Sequence, residues 1–206
     1  MVTIIQDFIP VGSKNRPGRR NPMKYITIHN TGNSGNGANA KSHAKYIKSP
    51  AAVNAPASWH YTVDDEFIVH HVPDNENAWH CADGTNGTGN NQSIGIEICM
   101  NADGDLLKAT DNAAELTAHL MKKYKIPIQN VVQHNHWSGK NCPQMIRSGK
   151  PYDWKTFLEK VSTFTVQSAD RTKVQLKAGL DNNTMKYLDG HPFRDALYKK
   201  LADAMK

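Results

Sequence analysis

Cysteine is scarce: three residues in 206, at positions 81, 99 and 142. So small and odd a count excludes a disulfide framework and leaves each thiol as a small apolar core group or a metal ligand. No apolar run is long enough to span a bilayer, which takes about 20 residues. In the N-terminal stretch MVTIIQDFIPVGSKNRPGRR the basic residues follow a short apolar segment, the reverse of a secretory signal, so a product held first in the cytoplasm is expected. Nucleic-acid-binding motifs and a series of stacking aromatics are also missing. The basic stretch SKNRPGRR carries the Pro and Gly of a solvated loop, and no nucleic-acid partner is expected.

What is present is positive charge. A formal net charge of +6 and a pI near 9.2 favour anionic polymers without choosing among them. The length suits one full core with an appendage. Two short runs, Tyr25–Ile28 and Ile94–Cys99, are apolar and β-branched and predict buried strands. Trp59–Val63 and Phe67–His71 predict a hairpin across Asp64-Asp65-Glu66, and Val131–His134 a further strand. Helices are predicted at Ala38–Ile47, at ATDNAAELTAHLMKKYKI with Thr110 or Asp111 as N-cap, and at about Trp154–Thr163 with Asp153 as N-cap. The polar segment Pro73–Asn91 reads as a binding loop. Helices alternating with strands predict an α/β fold, a mixed central sheet flanked by helices.

Chemistry concentrates at a few positions. His29 ends the first strand, and His134 and Cys142 flank HNHWSGKNCP. Two imidazoles and a thiolate could hold zinc with a fourth position open, the arrangement of a catalytic rather than a structural site. The chain has ten His, however, and most single His residues are surface or hydrogen-bonded groups, so spacing alone leaves the ligand set open. Glu97 stands between isoleucines, where a carboxylate is costly unless it is paired or useful. No CxxC or HxxxH pair is available to close a structural zinc site.

Five segments in order carry a resemblance: NRPG (Asn15–Gly18), KYITIHNT (Lys24–Thr31), NAWHCADG (Asn77–Gly84), SIGIEIC (Ser93–Cys99) and QHNHWSGKNCP (Gln133–Pro143). Over about Ile4–Thr163 the chain resembles type-2 N-acetylmuramoyl-L-alanine amidases, zinc enzymes of the peptidoglycan-recognition-protein fold, particularly lysins of phages and prophages of Gram-positive bacteria. The resemblance implies zinc held by His29, His134 and Cys142, with His136 a surface neighbour, a catalytic acid at Glu97 and a basic catalytic residue at Lys140. It implies hydrolysis of the amide between N-acetylmuramic acid and L-alanine in peptidoglycan. Some branches place a tyrosine where Trp59 stands, so Trp59 and His60 are expected to line the site rather than react; Trp79 and His80 are expected to bind substrate. A non-catalytic peptidoglycan-recognition module is the alternative, disfavoured because such members typically lack the ligand cysteine. The expected division is a catalytic domain at 1–164 and a small segment at 165–206, for which binding to an anionic wall polymer, a dimerisation helix and a fragment of a larger binding domain are the open alternatives. A lysin of this kind waits in the host cytoplasm and acts at the bacterial cell wall.

Overall fold

Alternation in two strands organises the molecule. The computed structural model describes residues 2–205; among them are six strands, β1 (Ile4–Gln6), β2 (Tyr25–Asn30), β3 (Tyr61–Val63), β4 (Ile68–His70), β5 (Ser93–Ile98) and β6 (Val131–Gln133). They form one sheet in the order β1-β4-β3-β5-β2-β6. Every pairing is parallel except the β3–β4 hairpin. Successive side chains on a strand point to opposite faces. Ile26 and Ile28 of β2 and Ile94, Ile96 and Ile98 of β5 therefore share one face, and all are fully buried. Thr27 and His29 share the other face with Ser93, Gly95 and Glu97.

The isoleucine face is covered by α4 (Leu106–Tyr124) and the first half of α7 (Trp154–Ala178), through Ala113, Leu116, Leu120, Phe157 and Val161. Burial of each large apolar side chain contributes about 1.5–3 kcal/mol, so this layer dominates the fold. On the other face lie α1 (Ala40–Ile47) and the short helices α2 (Pro50–Val53) and α3 (Thr88–Gln92). After β6 come α5 (Asn135–Ser138) and α6 (Gln144–Arg147), and the chain ends in α8 (Asn182–Asp189) and α9 (Arg194–Ala204). Among the described residues, no helix is long and apolar enough to cross a membrane.

Two boundaries differ from expectation. Helix α4 starts a turn earlier than Thr110, because the Asp105 carboxylate accepts the Lys108 amide at 3.0 Å and caps it. Thr110 instead donates its hydroxyl to the Leu106 carbonyl, and Asp111 accepts from the Tyr152 hydroxyl. Helix α7 begins at the expected cap, Asp153, but continues past Thr163 to Ala178. Neither Gly nor Pro interrupts residues 154–178, and the helix stops only at Gly179, whose φ of 63° is the left-handed conformation of a C-terminal cap. The expected division at 164/165 thus falls inside a helix. Beyond it, α7 leaves the main core and builds a small one with α8 and α9 from Val174, Met185, Tyr198 and Ala202. Arg171 grips Asp189 through two 2.8 Å hydrogen bonds, and the Tyr198 hydroxyl donates to the same carboxylate.

Candidate active site

Three parallel strands deliver the site residues at their carboxyl ends, where open α/β sheets leave a crevice. His29 closes β2, Glu97 lies opposite it on β5, and His134 follows β6 with its amide donating to the Ile28 carbonyl. The loop after α5 returns Cys142 to the same point, its carbonyl accepting the Asn135 amide. His29 Nδ1 lies 3.0 Å from His134 Nδ1 and 3.8 Å from Cys142 Sγ, and the three donor atoms fall within 4.8 Å of one another. A tetrahedral zinc ion sets such donors roughly 3.3–3.8 Å apart. The His134 Nε2 atom faces the Cys81 carbonyl at 2.9 Å, and because a carbonyl only accepts, the proton sits on Nε2 and Nδ1 presents a lone pair. The residues present fit zinc: two imidazoles and a thiol converge, and among the described residues no fourth donor joins this group, although His29 also groups with His80 and Cys81. Burial, followed by the charges of His80, His134 and Lys140, holds His29 far below the usual imidazole range, in the neutral form a metal requires. Burial also pushes the Cys142 thiol up to about 11, so an ion there would have to displace its proton.

Register places Glu97 beside this cluster, its Oε1 3.9 Å from His29 Nδ1 and its side chain 15% exposed. Burial raises its carboxyl to about 7, against the opposing pull of the Lys140 charge. Its Oε2 is buried and has no hydrogen-bond partner among the described residues. Lys140 is exposed on the loop before Cys142, and its charge is felt at Glu97, His29 and His134 alike. Glu97 opens onto a cavity of about 380 Å³ walled by Thr31, Ser42, His43, Tyr46 and Trp59. Thr31 Oγ1 and His43 Nε2 are, like Glu97 Oε2, buried without a partner. Three unsatisfied polar atoms on one cavity wall suit a polar ligand, since each costs about 1–3 kcal/mol while unpaired.

The sequence profile of N-acetylmuramoyl-L-alanine amidases matches residues 19–145. The chain belongs to this amidase family. It is 54% identical over 163 residues to the N-acetylmuramoyl-L-alanine amidase CwlH of Bacillus subtilis (strain 168), covering 79% of this chain and 62% of that protein. Against the amidase XlyA of the same organism it is 56% identical over 146 residues, 71% of this chain and 48% of the relative. The chain thus spans about half to three fifths of the length of these relatives. The structure of the catalytic domain of XlyA superposes with a TM-score of 0.72 at 51% identity, over 78% of this chain and 99% of that one. The mixed sheet flanked by helices is the amidase catalytic fold.

Within this amidase fold, the expected substrate residues separate. Trp59 joins the cavity wall, its indole N–H donating to Thr62 Oγ1 at 2.7 Å. His60 does not line the site: it is fully buried, accepting the Gly95 amide at Nδ1 and facing the Glu76 carbonyl with Nε2, and so ties β3 to β5 and to the loop before Trp79. His80 is likewise buried, behind His29, with its Nδ1 2.9 Å from His29 Nε2. Trp79 lies outside the cavity wall and packs under the Arg19 guanidinium, 5.7 Å from its ring. His136 is exposed, as expected. Sequence reasoning passed over His43, Ser42 and Tyr46. The available signal was helical: positions 42, 43 and 46 fall on adjacent turns of α1.

Proposed function

We propose that this chain hydrolyses the amide bond between the lactyl group of N-acetylmuramic acid and the L-alanine of the peptidoglycan stem, with zinc as its metal. The reading rests above all on a half-buried glutamate 3.9 Å from His29 in the cluster with His134 and Cys142. His29, His134 and Cys142 would hold the zinc, which would supply Lewis acidity for the scissile carbonyl and for activating the attacking water. Glu97 takes the proton of the attacking water and hands it to the leaving amine; a carboxyl near pKa 7 suits both transfers. Lys140 faces the negative charge that gathers on the carbonyl oxygen. Because the leaving amine must reach Glu97, the stem peptide extends into the cavity beside it, where Thr31 and His43 offer their unpaired atoms and Trp59 and Tyr46 an aromatic wall.

Residues 165–206 serve, in this reading, to hold the enzyme on an anionic wall polymer. They carry eight Lys and Arg against five Asp and Glu, and the strongly exposed Leu176, Tyr187 and Phe193 belong to this segment. The place of action is the bacterial cell wall.

The test is release of new L-alanine N-termini from purified peptidoglycan. Release that stops on chelation, returns with zinc and falls roughly 10²–10⁴-fold in Glu97→Gln at unchanged metal content is the expected result. Wall binding with no release by the zinc-loaded wild type would overturn the reading in favour of a recognition module.

A further inference from the structure

Each imidazole of the metal cluster has a second ring nitrogen, and one dipeptide meets both. The Cys81 carbonyl takes His134 Nε2–H at 2.9 Å, and the His80 ring offers Nδ1 to His29 Nε2 at 2.9 Å. For His29 Nδ1 to direct its lone pair at a metal, its proton must lie on Nε2 and His80 must accept it. His80 then keeps its own proton on Nε2, which lies 3.5 Å from Ser93 Oγ. Cys81 Sγ sits 3.1 Å from the same Nδ1, a weak thiol contact beside the ring–ring bond.

The dipeptide is firmly held. The amides of His80 and Cys81 both donate to Asn90 Oδ1 at 2.8 Å, Asn90 Nδ2 donates to the Gly84 carbonyl, and the Asp83 carboxylate accepts the amides of Gly89 and Asn90. The His80 ring fits only because β5 carries a glycine beneath it: a Cβ at Gly95 would stand 2.7 Å from His80 Nδ1.

We propose that His80 and Cys81 form a positioning bracket for the metal, the His80 imidazole fixing the tautomer and orientation of His29 while the Cys81 carbonyl fixes those of His134. The inference rests on His29, His134 and Cys142 being the ligands. Partners of this kind typically carry 10–100-fold of metal affinity.

Zinc affinity, measured by competition with a chromophoric chelator, tests it. His80→Leu removes the acceptor and is expected to weaken zinc binding roughly 10–100-fold. His80→Asn places an amide oxygen near the position of Nδ1 and is expected to restore most of the loss, which a purely space-filling role would not allow. Long-range ¹H–¹⁵N spectra of the zinc-loaded wild type read the tautomers without any variant. His29, His134 and His80 are all expected to be protonated at Nε2. His80 protonated at Nδ1, or His80→Leu binding zinc as tightly as wild type, overturns the bracket alone. A wild type that takes up no zinc overturns the ligand assignment itself.

Discussion

Glu97 feels the charge of Lys140, yet the surroundings of the two differ. Glu97 is held by β5 on the face opposite its isoleucines, and burial raises its carboxyl to about 7. Lys140 is exposed on a loop, positioned through its carbonyl, which accepts from the Asn135 side chain and the Cys142 amide. A loop cation whose main task is to face charge that builds in the transition state should affect turnover rather than binding. Lys140→Met is therefore expected to lower kcat about 10²–10³-fold with KM and zinc content little changed. His43→Ala, on the cavity wall, should act in the opposite sense, raising KM more than it lowers kcat. Steady-state kinetics on a soluble muropeptide separates the two; a Lys140 variant with normal kcat would remove the lysine from the reaction. His29 and Glu97 were visible in the sequence because each breaks the apolar pattern of a strand, while the pairing of His29 with His134 and Cys142 came through resemblance. The His80 contact was not legible at all. A buried His in a polar segment and an exposed one look alike until the loop of residues 80–90 folds back on Asn90.

At the scale of elements, the strands and their face alternation were readable because period-2 patterning is local. The ends of helices were less so. Asp105 outcompeted Thr110 and Asp111 as cap of α4, and α7 ran on where composition changed, since change of composition is not a helix stop and Gly179 is. The consequence is a helix shared by two cores: Phe157 and Val161 in the sheet's core, Val174 in the small one. Lys122 of α4 bridges to Ser168 and Thr172 near the changeover. Met185 is fully buried in the small core, and Met185→Ala should remove about 2–5 kcal/mol from it. A core of four buried residues cannot absorb that loss, so α8 and α9 are expected to open while the sheet stays closed. Hydrogen exchange should show lost protection over residues 182–204 and none over β2 and β5. Turnover of a soluble muropeptide should persist while retention on purified walls falls; loss of protection throughout the sheet would mean that the two cores unfold as one.

The molecule as a whole encloses an unusual number of neutral imidazoles, and these set its response to acid. Burial lowers His60 to about 4 and His71 to about 3, and neither is a candidate ligand. In the unfolded chain both would protonate near pH 6.5. Between these limits the unfolded state binds more protons than the folded one, so stability is full above about pH 6.5 and falls as pH drops towards 4. Each group accounts for on the order of 3 kcal/mol by pH 4. Against a typical domain stability of about 5–15 kcal/mol, the two together are a large share of the total. Asp74 works in the same direction lower down. Burial alone would raise its carboxyl, but His70, Tyr124 and Tyr61 outweigh that and hold it below the usual carboxylate range. Its contribution is present above about pH 4 and is lost as pH falls further. Urea unfolding at pH 7.5 and pH 4.5, both with excess chelator so that metal release does not enter, measures the loss. His71 meets Thr62 Oγ1 through Nε2, so His71→Gln can retain that hydrogen bond while removing the titration. The variant is expected to start less stable at pH 7.5 and to lose markedly less than wild type on going to pH 4.5. An identical loss in both proteins would show that His71 is not among the groups that make this protein less stable in acid.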